Sequence, residues 1–264
     1  MLNTLAFALA LQTAPTVKTG FNPAKPEINN PYWRNALQEV YRSPEEIVAQ
    51  IKRERRRGVF LPLLVRGNPE KKEIALTFDD GPHPDGTLAL LKILKEKNVT
   101  ATFFVIGKMV QKYPDLARAI VRDGHALGNH TFSHVTLTKI PEPYIEAEWR
   151  AAQDLIYQKT GVRPRFCRPP GGDYDAGVIH GAALNNLTVT LWTDDPGDFS
   201  NPGADVIERR TLDHISNGGI ILLHDGVKQT LQILPQIIDY ARKQGYTFVT
   251  LGKLRAEASL LQNP

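Results

Sequence analysis

From residue 73 onward, short apolar runs alternate with amphipathic helical stretches for about 180 residues. Ile74-Ala75-Leu76-Thr77-Phe78 reads as a buried strand, and further strands are predicted at 101–106, 166–167, 187–192, 220–223 and 246–250. Helices are predicted between them. Leu88, Leu91 and Leu94 form one apolar stripe, with Lys92, Lys95 and Lys97 on the other face. The others fall at 115–122, 144–159, 175–185, 205–216 and 231–243, several closed by a glycine such as Gly124, Gly161 or Gly245. A chain that alternates in this way builds an α/β fold with parallel strands. About seven units fit a closed or nearly closed (β/α) barrel. A doubly wound open sheet is the alternative, but no G-x-G-x-x-G opens after a strand to signal nucleotide binding.

The first 72 residues lie outside this pattern and are expected to be an N-terminal extension, with the barrel domain at 73–264. Leu5 to Leu11 is a short apolar run, within which Ala8-Leu9-Ala10 is a loose A-x-A. No Lys or Arg precedes Lys18, so the run resembles only a truncated secretory signal, with a mis-assigned start or a frayed apolar tail as the alternatives. A spacer with Pro15, Pro23, Pro26 and Pro31 follows, which suits a linker to an anchored or cleaved end. An extracellular or envelope location is therefore expected, with the cytoplasm as the alternative. Ser43-Pro44-Glu45-Glu46 carries a capping box and predicts a helix to about Arg57. Beyond the extreme N-terminus no apolar run approaches the ~18 residues of a membrane span.

Charge narrows the partners. The net charge is +4, and the run Lys52 to Arg57, with five basic residues and one acidic, equals it alone. The rest of the chain is neutral, so a nucleic-acid partner is not expected. The run either docks the protein on an anionic wall or membrane surface or is a cationic helix end favoured by the helix dipole. Cys167 is the only cysteine. That excludes an internal disulfide and a multi-cysteine metal site, and its apolar neighbours suggest packing. Trp149, Trp192 and Tyr157 are likewise expected in the core, and His125 is read as structural.

Ionisable residues cluster just after four of the predicted strands. Phe78 is followed by Asp79-Asp80-Gly81-Pro82, Cys167 by Arg168-Pro169-Pro170-Gly171, Trp192 by Thr193-Asp194-Asp195-Pro196-Gly197-Asp198, and Leu223 by His224-Asp225. In a parallel barrel these ends share one face, and active sites form there. Two adjacent carboxylates at one site repel, so one of them needs a cation. His130 and His134, spaced H-x3-H on a helix or a tight loop, join Asp80 to make three ligands with an open position for water.

Five segments carry a family resemblance: TFDDGP (77–82), HTFSH (130–134), RPPGG (168–172), DDPGDF (194–199) and ILLHD (221–225). In this order they resemble the polysaccharide deacetylase family, carbohydrate esterase family 4, also called the NodB homology domain. The resemblance spans roughly residues 73–250. It implies an α/β fold of the distorted, incomplete (β/α) barrel type with about seven parallel strands, and a metal-dependent hydrolase that removes N-linked acetyl groups from N-acetylglucosamine units of a cell-wall or chitin-like polysaccharide. Asp80, His130 and His134 would hold one divalent metal, zinc first and cobalt or nickel as alternatives. Asp79 would be the general base, oriented by Arg168. His224 would be the general acid, with its pKa raised by Asp198, or by Asp195 as runner-up. Pro170, Gly171, Phe199 and Leu222 would contact substrate, Leu222 at the acetyl methyl, with an oxyanion donor among the backbone N–H groups near Gly171.

The sequence departs from the family at two positions. Many relatives carry an aromatic after the Arg-Pro-Pro step, where this chain has Gly171 and Gly172, and Tyr174 is expected to replace that wall. The fourth motif commonly ends in Trp and here ends in Phe199. An O-acetyl esterase acting on xylan and a non-catalytic carbohydrate-binding relative remain as alternatives. The latter would have lost a base or a ligand, and none is lost.

Overall fold

The computed structural model describes residue 36 and residues 40–259. The apolar run at 5–11 and the Pro-rich spacer lie outside the described residues. Helix α1 (Pro44–Arg56) starts as the capping box requires. Ser43 Oγ accepts the Glu46 N–H, and the Glu46 carboxylate accepts the Ser43 N–H. Ile47 is its buried anchor, and Lys52, Arg53, Arg55, Arg56 and Arg57 are all exposed at its C-terminal end. No described helix is long and apolar enough to cross a membrane.

The strands are β1 (Leu63–Leu64), β2 (Glu73–Gly81), β3 (Thr102–Val105), β4 (Ala126–Asn129), β5 (Phe166–Cys167), β6 (Thr188–Thr190), β7 (Gly219–His224) and β8 (Thr247–Phe248). Every pairing is parallel, in the order β1-β6-β5-β4-β3-β2-β7, and β8 adds to the start of β2. Just past β6, the Thr193 N–H donates to the Ile220 carbonyl and the Leu222 N–H to the Asp194 carbonyl. These bonds curl the sheet back toward β7, which gives the incomplete barrel expected. Residues 43–72 add α1 and the edge strand β1 to this same body.

The connecting helices are α2 (Thr87–Glu96), α3 (Gly107–Lys112), α4 (Pro114–Arg122), α5 (Glu142–Thr160), α6 (Ala176–Leu184), α7 (Ala204–His214) and α8 (Lys228–Lys243), with α9 (Leu251–Ser259) at the end. The sequence reading did not resolve β1, β4, α3 or α9. Tyr157 also corrects an expectation. It is exposed, with the Arg163 guanidinium 4.3 Å from its ring, whereas Trp149 and Trp192 are buried. Cys167 is buried, and burial pushes its thiol well up, so it packs rather than reacts. His125 Nδ1 accepts the Ala101 N–H at 3.2 Å, a structural role.

Side chains alternate across each strand with period two. On β2, Ile74, Leu76 and Phe78 pack outward with Leu90, Leu94, Ile237 and Ile238. Each such buried side chain contributes about 1.5–3 kcal/mol relative to exposure. Ala75 and, on β7, Ile220 and Leu222 belong to the other, inner cluster. By the same alternation Thr77 and Asp79, and His224 at the end of β7, belong to that inner face.

Candidate active site

β2 does not end as a regular strand. Its register with β3 slips between Phe78 and Gly81, and Asp80 has φ +71. A non-glycine residue in that region costs on the order of 1–3 kcal/mol, and such residues cluster at functional sites. The bulge solves a geometric problem. Neighbouring strand residues point to opposite faces, yet Asp79 Oδ2 and Asp80 Oδ1 lie 3.7 Å and 3.4 Å from the same atom, His130 Nε2.

The two histidines meet through a loop rather than a helix. Thr131 and His134 have φ +65 and +57. Asn129 Oδ1 accepts the Thr131 N–H, and Thr131 Oγ1 accepts the His134 N–H. From α5, Glu148 Oε2 accepts the N–H groups of Phe132 at 3.0 Å and Ser133 at 2.7 Å. Glu148 is fully buried, and burial raises its pKa. The sequence reading did not single it out.

Asp80, His130 and His134 present their ligand atoms to one point. His134 Nε2 lies 3.0 Å from Asp80 Oδ1 and 3.1 Å from His130 Nε2. His130 Nδ1 lies 2.7 Å from the Arg168 carbonyl oxygen, which can only accept. The proton of the neutral ring therefore sits on Nδ1, and Nε2 presents a lone pair. Asp80 Oδ1 is buried with no hydrogen-bond donor among the described residues. Converging lone pairs repel unless a cation lies between them. A tetrahedral ion bonded at about 2.0–2.2 Å sets its ligand atoms about 3.3–3.6 Å apart, close to these separations. The residues therefore fit a divalent metal. Burial opposes ionisation of Asp80, but the two imidazoles hold its carboxyl well below the usual range.

Asp79 and Arg168 form a buried pair beside the triad. Arg168 Nη1 donates to Asp79 Oδ1 at 2.7 Å and to Thr77 Oγ1 at 2.9 Å. The guanidinium is fully buried and lies 4.2 Å from the Phe104 ring and 5.4 Å from Trp192. Gly128 makes room for this stack, because a Cβ there would fall 2.3 Å from the Phe104 ring. Burial pulls the Arg168 pKa down, and Asp79 opposes that shift.

A second buried pair lies at the same rim, where His224 ends β7 as the register partner of Asp79. His224 Nδ1 lies 2.6 Å from Asp198 Oδ1. Asp198 Oδ2 accepts the His224 N–H at 2.8 Å and the Thr230 hydroxyl at 2.6 Å, which locks the carboxylate. Burial would lower the His224 pKa, but Asp198 first, then Asp80 and Asp79, raise it to about 9. Asp195 instead accepts the Gly197 N–H and makes no hydrogen bond to His224. Burial raises the pKa of Asp195, and raises that of Asp194 well above the usual carboxylate value. His224 Nε2 is buried without a hydrogen-bond partner among the described residues.

The residues expected to contact substrate are placed less uniformly. Phe199 is 39% exposed, and its ring centroid is 5.7 Å from that of His224. Leu222 is fully buried, two residues before His224 on β7. Pro170 and Gly171 are buried in a short turn, and the Gly171 carbonyl accepts the Arg42 N–H at 3.0 Å. Tyr174 does not replace the missing wall. It is 2% exposed and donates its hydroxyl to Glu54 of α1. The aromatic that reaches the site is Tyr41.

Fold and site together define an α/β-barrel protein whose Asp80–His130–His134 triad fits a divalent cation, beside a carboxylate–arginine pair and a carboxylate–histidine pair. The polysaccharide deacetylase family model matches residues 66–190. The chain belongs to that family. It is 36% identical over 189 residues to a peptidoglycan-N-acetylglucosamine deacetylase of Bacillus cereus, covering 70% of this chain and 88% of the relative. A solved peptidoglycan N-acetylglucosamine deacetylase, in complex with an N-hydroxybenzamide compound, superposes with TM-score 0.71 at 32% identity, over 74% of this chain and 92% of that one. A carbohydrate esterase family 4 pseudoenzyme from Bacillus anthracis also superposes with TM-score 0.71, at 27% identity, over 75% of this chain and 70% of its own.

Proposed function

We propose that this protein removes the N-acetyl group from N-acetylglucosamine units of a cell-wall polysaccharide, peptidoglycan before chitin-like chains. The observation that carries the reading is the gathering of two buried pairs, Arg168–Asp79 and Asp198–His224, at the same barrel rim as the triad. The sugar named for the Bacillus cereus relative supports peptidoglycan. Likeness to a pseudoenzyme does not weigh against activity, because every residue given a role above is present.

Asp80, His130 and His134 would hold one divalent ion, zinc first and cobalt or nickel as alternatives. Bound there, the ion would polarise the acyl carbonyl and acidify water. Asp79 takes the proton of the attacking water. Arg168 holds Asp79 through Oδ1, which leaves Oδ2 on the side of the triad. His224 gives a proton to the departing amine, which is a poor leaving group until protonated. Asp198 keeps that imidazole charged and oriented. An envelope location follows from the substrate, and the exposed cationic end of α1 then meets an anionic wall.

The test is acetate release from N-acetylglucosamine oligomers, peptidoglycan and acetylated xylan side by side, with added zinc or cobalt. Release from the N-acetylated substrates is expected. Acetate from acetyl-xylan alone would overturn the reading in favour of an O-esterase.

A further inference from the structure

The segment just before α1 enters the rim of the site. The Tyr41 ring stacks on Phe199, with centroids 4.0 Å apart and planes 23° apart, and stands edge-on to His224 at 5.3 Å. The segment is fixed from the other side as well. The Arg42 N–H donates to the Gly171 carbonyl, and the Arg42 guanidinium lies 3.6 Å from Asp173. Gly171 is what admits the segment. It has φ +66, and a Cβ there would fall 2.5 Å from the Val40 carbonyl oxygen. A side chain at 171 would therefore have to displace Val40 and, with it, Tyr41. Beside this segment lies a cavity of about 230 Å³, lined in part by Arg42, Thr136, Lys139 and Asp173.

Tyr41 is half-buried and Phe199 is 39% exposed. The apolar surface kept open here touches the buried acid. A pyranose ring has apolar C–H faces and a polar rim. Aromatic side chains take such faces, and a polar pocket takes the hydroxyls of the next unit. We propose that Tyr41 is a substrate-binding residue. Together with Phe199 it forms the wall against which the deacetylated sugar lies, and the Arg42–Lys139–Asp173 cavity receives the neighbouring sugar. The proposal rests on the deacetylase reading for the identity of the reaction, but not for the existence of the wall.

Two measurements separate the two claims. In the full chain, kcat and KM for acetate release from N-acetylglucosamine oligomers are compared for wild type, Tyr41→Ala, Tyr41→Phe and Gly171→Ala, with Tm as a control for folding. Tyr41→Ala is expected to raise KM about tenfold, a loss comparable to one aromatic contact, with a smaller change in kcat. Tyr41→Phe should keep KM near wild type, and Gly171→Ala should reproduce the Tyr41→Ala rise. Binding of the same oligomers is then measured by calorimetry in an Asp79→Asn background, with and without Tyr41→Ala. Oligomer binding that does not weaken when Tyr41 is removed would overturn the proposal. Tyr41-dependent binding without acetate release from any N-acetylated sugar would sink the deacetylase reading and leave the wall standing.

Discussion

Asp79 and His224 are register partners on the adjacent parallel strands β2 and β7. Residues paired in this way point to the same face of the sheet, so one strand pair delivers both a carboxylate and an imidazole to the barrel rim. Each is then fixed by a different partner, Asp79 by Arg168 from the end of β5 and His224 by Asp198 from the turn after β6. Asp198 holds the His224 imidazole as a cation, with its pKa raised to about 9, while Arg168 fixes the position of the Asp79 carboxylate. A charged imidazole and a positioned carboxylate on one face are what an acid and a base acting in the same turnover need.

Asp79→Asn should separate proton transfer from metal binding. The amide keeps the shape and an acceptor for Arg168 but cannot take a proton. Acetate release should fall about 100- to 10,000-fold, the usual worth of a positioned base. Metal content after dialysis should match wild type, because Asp80, His130 and His134 are untouched. Stability should also drop, since breaking a buried ion pair leaves the guanidinium without its counter-charge, at a cost of about 3–5 kcal/mol. A variant with wild-type turnover would remove Asp79 from the base role.

Asp198→Asn should move a titration. The His224 pKa is about 9 in the folded protein against an ordinary value of 6.5. Its contribution to stability is thus fully present below about pH 6.5 and is lost as pH rises through about 9. Without the Asp198 charge, the His224 resonance followed by NMR in metal-free protein should titrate at clearly lower pH. The alkaline limb of kcat should move down with it. An unchanged titration would assign the shift to other carboxylates.

Glu148 tests how the His loop is held. Glu148→Ala leaves the Phe132 and Ser133 N–H groups without their acceptor, at about 1–3 kcal/mol for each group left unsatisfied. The loop that sets His130 and His134 should loosen, and zinc affinity should fall about 10- to 100-fold, as it does when ligand supports are removed. Glu148→Gln keeps an acceptor and should recover most of both losses. Equal zinc affinity in Glu148→Ala and wild type would show that Asn129 and Thr131 hold the loop alone.

The site was legible in the sequence where chemistry follows an apolar run. Asp79, Asp80, Arg168 and His224 stand at the ends of apolar runs and Asp198 in the turn that follows one, and turn residues mark the place. What was not legible depends on distance in the chain. Strand β4 is only Ala126-Leu127-Gly128-Asn129, too short for a period, and its glycine exists to admit the Phe104 ring. Glu148 lies on a helix with other charged residues, and nothing local shows that it faces inward. Tyr41 is a lone aromatic in irregular chain, and only the docking of Val40 against Gly171 brings it to His224. Tyr174 is nearer in sequence to the third motif, yet Glu54 on α1 draws its hydroxyl away.

Asp225 offers a last prediction, one of stability rather than turnover. Its Oδ2 accepts the Thr87 hydroxyl and, at 3.4 Å, the His83 N–H, while Oδ1 is buried without a partner among the described residues. The carboxyl is wedged so closely that a Cβ at either Gly81 or Gly86 would fall 2.6 Å from its oxygens. Burial raises its pKa to about 7, against an ordinary value of 3.8. The folded protein therefore keeps a proton that the unfolded chain has lost, and the associated stability, complete below about pH 3.8, fades as pH rises through about 7. In Asp225→Asn the side-chain oxygen can still accept from Thr87 and His83, and no charge is buried. The Tm difference between variant and wild type should shift in favour of the variant from about pH 4 to pH 7 and level off above, since other buried carboxyls titrate alike in both. A difference that stays flat across that window would mean the Asp225 carboxyl is already ionised at low pH.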